Sequence, residues 1–140
     1  MSSVPIEELR RHWQERIPFN RLCGFVVSRW DDTGVRMEVD DAEGLANGVG
    51  SMHGGVVATL VDTVANAAAI ILGDFGPGAR VATVSMTVHY HGPARGHLVA
   101  DAVRDGSGRS LRSVRVDVRD DTGASVATGL VVVKVSAGAS

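Results

Sequence analysis

The sequence predicts an α+β domain in which one long helix is enclosed by an antiparallel sheet. Two observations lead to this fold class. The stretch that begins at Gly54 is apolar on every side over the length of a helix, and such a helix has to be enclosed. The second half of the chain, from Ala82 onward, contains four strand-like segments separated by turns and no further helical pattern. A sheet that curls around the helix accommodates both features.

The N-terminal segment carries a helical pattern of its own. Apolar residues recur at helical spacing from Ile6 to Ile17, and Pro5 suits a first helical turn. This pattern predicts a short amphipathic helix over residues 5–16 that ends before Pro18.

Two strands and a loop lead from there to the long helix. Strands are expected from Cys23 to Trp30 and from Gly34 to Asp40, with a turn between them. A glycine-rich loop over 41–51 precedes the long helix, and the glycines and proline of 73–78 end it.

Alternating apolar and polar residues predict the remaining strands. The alternation is strict over residues 82–90, and further strands are expected over 98–104, 110–119 and 126–135. The last segment is almost continuously apolar, which predicts a position inside the sheet.

Length and composition limit the possible functions. The chain has 140 residues and a formal net charge of −2, which argues against nucleic-acid binding. We expect a helix over 1–16, one domain over 17–136 and a disordered tail over 137–140. The N-terminus lacks a signal-peptide pattern, and the apolar stretch around Asp62 is too interrupted to span a membrane, so a cytoplasmic protein is expected. The single cysteine, Cys23, is expected to be a buried thiol.

The helix start at Gly54 and Gly55 is the first candidate site. Backbone N–H groups at a helix start lack partners, and a glycine lets another molecule approach them closely. An oxyanion or a polarised carbonyl could be held there, or the glycines could only permit a tight turn. The GVGSMHGG segment matches neither a dinucleotide fingerprint nor a P-loop. His53 could be a base or a structural residue, and no metal-ligand partner stands near it, so no metal is expected.

Asp62 is the second candidate because it stands alone in the apolar helix. Burying a carboxylate without a partner is costly. Its partner could be structural, such as Arg80 or a backbone N–H, or Asp62 could line a cavity as a base or nucleophile. Gly54 and Asp62 are eight residues apart, about 12 Å along a helix. If both act on one bond they must come from two copies of the chain, and a two-fold dimer with antiparallel helices would provide two equal sites.

These residues resemble a known family, the hotdog-fold acyl-CoA thioesterases of the phenylacetate-pathway (PaaI-like) type. The shared pattern is an Asn, a His-Gly-Gly and a later Asp, here Asn47, His53, Gly54, Gly55 and Asp62. The segments IPFNRLCGF and TVSMTVHYHGPARG are also similar to the family, and the resemblance extends over residues 17–135. It implies the hotdog fold, a long helix wrapped by a curved antiparallel sheet, in a homodimer and further in a homotetramer.

The resemblance also implies a role for each matching residue. Gly54 would donate its N–H to the thioester carbonyl, and Asp62 of the partner subunit would act as nucleophile or as base for water. Asn47 would position the water or the carbonyl, His53 would support the helix start, and Thr83 would assist Asp62. The implied reaction is hydrolysis of an acyl-CoA thioester, with no cofactor because coenzyme A is part of the substrate.

Contacts with the substrate are expected at both of its ends. Gly55 would lie beside it at the helix start, and the residues expected to line the acyl group, whether aliphatic or aryl, are Val57, Val61 and Val64. A basic residue would hold the phosphates of CoA, with Arg109 as the first candidate and Arg112 as the second, although either could be a solvated charge at a strand end.

Two other functions remain open. A non-catalytic acyl-CoA-binding or regulatory protein could have the same fold, and titration with CoA esters while free thiol is measured separates it from an enzyme. A dehydratase or hydratase of acyl thioesters needs a catalytic His paired with an acid. His53 cannot meet Asp62 within one chain, which leaves only a pair across two subunits.

Overall fold

In the computed structural model, which describes residues 6–70, 75 and 78–138, a six-stranded antiparallel sheet curves around one long helix. The helical elements are α1 (Ile6–Arg11), a π-helical turn (His12–Arg16), α2 (Pro18–Cys23), a 3₁₀ turn (Glu43–Leu45) and the long helix α3 (Gly54–Ala69). The strands are β1 (Val26–Trp30), β2 (Val35–Val39), β3 (Arg80–Tyr90), β4 (Leu98–Ser107), β5 (Leu111–Asp120) and β6 (Ser125–Ser136). Their order across the sheet is β1-β2-β4-β5-β6-β3.

Helix α3 packs its apolar side on the concave face of the sheet. Leu60, Val61 and Val64 have no exposed surface. Gly129 of β6 makes the close approach possible, because a Cβ at that position would lie 2.5 Å from a methyl carbon of Val61. A central helix within a curved antiparallel sheet confirms the predicted α+β hotdog fold.

The outer side of α3 stays open in the single chain, contrary to the expectation that the helix is enclosed. Ala58, Asp62 and Thr63 are partly exposed there. One layer of sheet covers one side of a helix, and small or polar side chains occupy the other side. The carboxylate of Asp62 is therefore half-buried and lies outside the core.

The N-terminal segment confirms the predicted helix and adds a second one. Helical structure runs from Ile6 to Arg16, and Ile17 is extended, so the first helical segment ends before Pro18 as predicted. Pro18 then begins α2, which was not predicted; a proline is tolerated there because the first helical position needs no N–H partner within the helix. Gly24, with a φ of 76°, ends α2 and donates its N–H to Arg21 O at 3.1 Å. Strand β1 consequently begins at Val26, later than predicted. Cys23 is buried as predicted, and this burial raises the pKa of its thiol.

The two edges of the sheet differ. The outer edge of β1 is covered, since Arg10 Nε donates to Val27 O at 2.7 Å and Val27 N–H donates to Gln14 Oε1 at 2.9 Å. Within the described residues no segment pairs with the outer edge of β3. This strand exposes apolar side chains, with Val84 58% and Met86 40% exposed. An uncovered apolar edge is suited to pairing with another chain.

The remaining expectations concern β6 and the chain ends. Strand β6 lies between β5 and β3, which confirms its predicted interior position. Helix α3 ends at Ala69, and most of the predicted helix-ending segment 73–78 lies outside the described residues, as do 1–5 and 139–140 of the predicted terminal segments. None of the helices in the described ranges has the length and apolar character needed to cross a membrane.

Candidate active site

At the start of α3, one amide group has no acceptor among the residues that the structure describes. The neighbouring amides all have acceptors. Before Gly54, Met52 N–H donates to Ala94 O at 2.7 Å and His53 N–H donates to Leu45 O at 2.8 Å. After it, Gly55 N–H donates to His53 Nδ1 at 2.8 Å, and the N–H groups of Val56 and Val57 donate to His53 O at 2.9 and 3.4 Å. Among the described residues, no acceptor takes the Gly54 N–H. Gly54 is the first residue of the helix, where the helix dipole is positive. A carbonyl oxygen or an oxyanion that approaches this position would receive the hydrogen bond.

His53 caps α3 through its imidazole ring. Its Nδ1 accepts from Gly55 N–H, so the proton of the neutral ring is on Nε2. Gly55 has to lack a side chain for this cap, because a Cβ there would lie 2.9 Å from Nδ1. Both residues thus shape the backbone around Gly54. The catalytic support by His53 and the substrate contact of Gly55 stay predictions.

Asn47 closes the loop that precedes the helix. Its Oδ1 accepts from the N–H groups of Val49 and Ser51 at 2.9 and 3.0 Å, and its Nδ2 donates to Ser51 Oγ at 2.7 Å. An Asn side chain commonly closes a turn in this way. The side-chain amide is engaged within its own loop, and its predicted contact with water or a carbonyl stays a prediction.

Asp62 is held by two side chains at one of its carboxylate oxygens. Thr83 Oγ1 donates to Asp62 Oδ1 at 2.5 Å, and Asn66 Nδ2 donates to the same oxygen at 3.2 Å. Asn66 Nδ2 also lies 3.0 Å from Thr83 Oγ1. Within the described part of the chain, neither Arg80 nor any other residue donates a hydrogen bond to Oδ2. One oxygen is anchored, and the other can accept a proton or attack an electrophile.

A β-bulge places Thr83 beside Asp62. Strict alternation along β3 predicts that Thr83 and Met86 lie on opposite faces. The register with β6 shifts between Thr83 and Ser85, so Thr83 and Met86 lie on the same face, toward α3. Asn66 was not among the predicted site residues, although its position four residues after Asp62 on a helix is a signal in the sequence.

The free amide and the free carboxylate oxygen belong to different turns of one helix. Asp62 lies eight residues after Gly54, about 12 Å along the helix axis. An aspartate side chain is too short to cover that separation. A single chain therefore does not bring the two groups to one bond.

The predicted substrate contacts lie in different environments. Val57 and Val61 are 1% and 0% exposed and pack in the core between α3 and the sheet, so their contact with an acyl group stays a prediction. Arg109 is exposed, and its guanidinium carbon lies 5.0 Å from the centroid of the Phe75 ring. Arg109 is therefore accessible to an anion.

Arg112, the second candidate for a phosphate, has a structural position. It is completely buried, its Nε donates to Arg109 O at 3.0 Å, and one of its terminal nitrogens donates to Ala69 O. Ala69 is the last residue of α3, where the carbonyl groups are unpaired and the dipole is negative. Arg112 thus stabilises the end of the helix and does not reach the surface.

Comparison with known proteins supports a hydrolase. A family model described as the thioesterase superfamily matches residues 49–127, a range that contains Gly54 and Asp62. A candidate esterase of Halobacterium salinarum is 37% identical over 106 residues, which cover 72% of this chain and 70% of that protein.

Solved structures share the fold. A thioesterase family protein from Silicibacter pomeroyi superimposes with a TM-score of 0.86 at 22% identity, covering 96% of this chain and 100% of that chain. A thioesterase from Haemophilus influenzae superimposes with a TM-score of 0.83 at 17% identity, covering 96% of this chain and 92% of that chain. At these identities the likeness shows the fold alone, whereas the family match rests on the sequence itself. The chain belongs to the thioesterase superfamily.

Proposed function

We propose that the chain hydrolyses acyl-CoA thioesters to the free acid and CoA, as a cytoplasmic enzyme of the PaaI-like type. Membership of the thioesterase superfamily supports thioester hydrolysis. The observation that carries the proposal is the pair of groups on α3. Among the described residues, the Gly54 N–H lacks an acceptor, and the Asp62 carboxylate has one anchored and one free oxygen. Acyl transfer needs such a donor and such a base or nucleophile.

The proposed reaction begins when the thioester carbonyl accepts a hydrogen bond from Gly54 N–H. Asp62 of the partner subunit then either attacks the carbonyl carbon or removes a proton from a water that attacks it. Both routes give a tetrahedral oxyanion that the Gly54 amide stabilises, and one such donor contributes about 2.7–4 kcal/mol. The C–S bond breaks, and the CoA thiolate leaves and takes up a proton. In the first route, water then hydrolyses the acyl–aspartate anhydride.

Thr83 and Asn66 would position the acid in this reaction. Both donate to Asp62 Oδ1, at 2.5 and 3.2 Å, which fixes the carboxylate plane. The unbonded oxygen, Oδ2, is then the one presented to the water or the carbonyl carbon.

The proposal requires a homodimer, and two open surfaces are suited to forming it. One is the outer edge of β3, with the exposed side chains of Val84 and Met86. The other is the outer side of α3, where Ala58 and Thr63 are partly exposed. A two-fold axis that sets the two α3 helices antiparallel would bring each helix start beside the middle of the other helix. Pairing of two dimers would give the expected homotetramer.

Substrate recognition is proposed at the surface beside Arg109. Its exposed guanidinium could bind a phosphate of CoA, and its packing on Phe75 would limit its motion. The acyl group, aliphatic or aryl, would enter between the subunits. To reach Val57, Val61 and Val64 it would have to displace part of the packing between α3 and the sheet, where these valines are buried.

The test is an assay of free thiol release from short-chain, long-chain and aromatic CoA esters. The wild type is expected to hydrolyse at least one class, and Asp62→Asn to lower kcat by about 10²–10⁴-fold. Circular dichroism and the oligomeric state should not change, because asparagine can still accept from Thr83 at Oδ1.

Asp32→Asn is the matched control, since it removes an exposed carboxylate in the turn between β1 and β2. It should retain the wild-type kcat. An equal kcat in Asp62→Asn would refute the role of the acid. Binding of CoA esters without thiol release would favour the binding-protein alternative, and addition or removal of water at the acyl chain would favour the hydratase alternative.

A further inference from the structure

Tyr90, at the end of β3, contacts the start of α3. Its Oη donates to Gly54 O at 2.6 Å, and a Cβ built on Gly54 would lie 3.5 Å from its ring. Tyr90 is 53% exposed, so its hydrogen bond to Gly54, and not burial, determines where its side chain lies. The strand end beneath it is fixed, because His91 N–H donates to Val126 O at 2.8 Å.

The peptide group that joins Gly54 to Gly55 is held at both polar ends. Tyr90 Oη binds its carbonyl oxygen, and His53 Nδ1 binds its N–H. Two consecutive glycines have more backbone freedom than any other pair of residues. These side-chain contacts restrict the dihedral angles between this peptide group and the preceding one, whose N–H is the free Gly54 amide. The direction of that N–H therefore depends on them.

We propose that Tyr90 is a positioning residue for the oxyanion donor: through its hydroxyl it fixes the Gly54–Gly55 peptide and thereby aims the Gly54 N–H. The proposal rests on the proposed function for its effect on catalysis. A donor that must be aimed at a developing charge acts on the transition state more than on substrate binding. Loss of the Tyr90 hydroxyl should therefore lower kcat and leave KM nearly unchanged.

The experiment compares wild type, Tyr90→Phe and Thr87→Val. Tyr90→Phe keeps the ring and removes the hydroxyl, and it is expected to lower kcat roughly 3- to 10-fold, the value of one hydrogen bond. Thr87→Val removes a hydroxyl from the same strand, at a position that faces away from α3, and it should retain the wild-type kcat. The thermal midpoints and oligomeric states of all three proteins are measured beside the kinetics.

A second measurement separates this proposal from the function on which it rests. Amide hydrogen exchange followed by NMR should show faster exchange of the Gly55 N–H in Tyr90→Phe than in the wild type, because the Gly54–Gly55 peptide has lost one of its two side-chain contacts. A wild-type kcat and KM together with unchanged Gly55 exchange would overturn the proposal while leaving thioester hydrolysis intact. If the wild type releases no thiol, the proposed function fails, and the exchange rate of Gly55 alone still decides whether Tyr90 holds this peptide.

Discussion

Replacing Gly129 by alanine would insert a methyl group between the sheet and α3. The new Cβ would lie 2.5 Å from a methyl carbon of Val61. Carbon atoms in contact are normally about 3.5–4.0 Å apart, so helix and sheet must separate by about 1 Å. Val61 has no exposed surface and cannot turn away into solvent. We expect a loss of roughly 1–3 kcal/mol in the free energy of unfolding, the usual cost of overpacking a core.

A second substitution, Val61→Ala, removes the carbon atoms that the new methyl group at position 129 would contact. Alone, it should cost about 1.6 kcal/mol, at ~0.8 kcal/mol for each of two buried carbons, plus a cavity term. In the double variant the alanine at 129 would occupy part of that cavity. The double variant should therefore be more stable than the sum of the single effects predicts, by more than about 0.5 kcal/mol.

Denaturant unfolding of the four proteins at one protomer concentration measures this coupling. Additive effects would refute the assigned contact between Gly129 and Val61. The same series also bears on function, because Val61 precedes Asp62 on α3. A displacement of about 1 Å at the acid can cost on the order of 10²-fold in rate, so Gly129→Ala should also lower kcat, and Val61→Ala should partly restore it.

Three further outcomes are expected. Thr83→Val removes a hydrogen bond to the anchored carboxylate oxygen of Asp62, so kcat should fall about 10- to 100-fold at similar KM, and an unchanged kcat would contradict the positioning role. Arg112→Met removes the guanidinium donor of Ala69 O at the end of α3, so the free energy of unfolding in denaturant should fall by about 1–3 kcal/mol. An unchanged free energy of unfolding would show that Ala69 O does not depend on Arg112. Hydrogen bonds to Glu38, first, and to Asp40, second, raise the pKa of His97 in the folded protein. The contribution of His97 to stability is therefore complete below the ordinary His pKa of about 6.5. It is lost as the pH rises through the raised pKa of the folded protein. His97→Gln should thus destabilise the protein more at about pH 5.5 than at about pH 8.5, and an equal loss at both would contradict this.

The sequence was sufficient for the parts of the fold that depend on regular periodicity. The apolar run after Gly54 predicts α3, and alternation predicts the strands of the second half, since both patterns report directly on burial. The pattern from Ile6 to Ile17 likewise predicts the first helical segment and its end before Pro18. The second role of Pro18, as the first residue of α2, was not predicted, because α2 has six residues and is too short to show a helical period.

The candidate site was predictable only where its residues are close in the chain. Gly54 and Asp62 stand out by their residue type within an apolar helix. Thr83 was predicted as a site residue only through the family resemblance, because its contact with Asp62 depends on a β-bulge that the alternation of apolar and polar residues does not reveal. Tyr90 reaches Gly54 across 36 residues of chain, and this contact depends on how α3 packs along β3. The burial of Arg112 likewise depends on where α3 ends relative to β5.

Gly54→Pro provides a direct way to remove the proposed donor. Proline has no N–H, and it suits the first position of a helix. His53, which precedes it, has φ −58° and ψ 133°, the extended conformation that a residue before proline prefers. The added Cβ would lie 3.5 Å from the Tyr90 ring, an ordinary contact. The variant should therefore fold and lack the oxyanion donor.

Complementation between Gly54→Pro and Asp62→Asn tests the shared site most directly. Each homodimer should retain at most about 1% of the wild-type rate, because both of its sites lack one group. In a heterodimer isolated by two different affinity tags, one site lacks both groups and the other combines an intact Gly54 with an intact Asp62 from the opposite protomer. Thiol release at half the wild-type rate per dimer is the predicted result. A heterodimer as inactive as its two parents would contradict the claim that each site takes its donor from one subunit and its acid from the other.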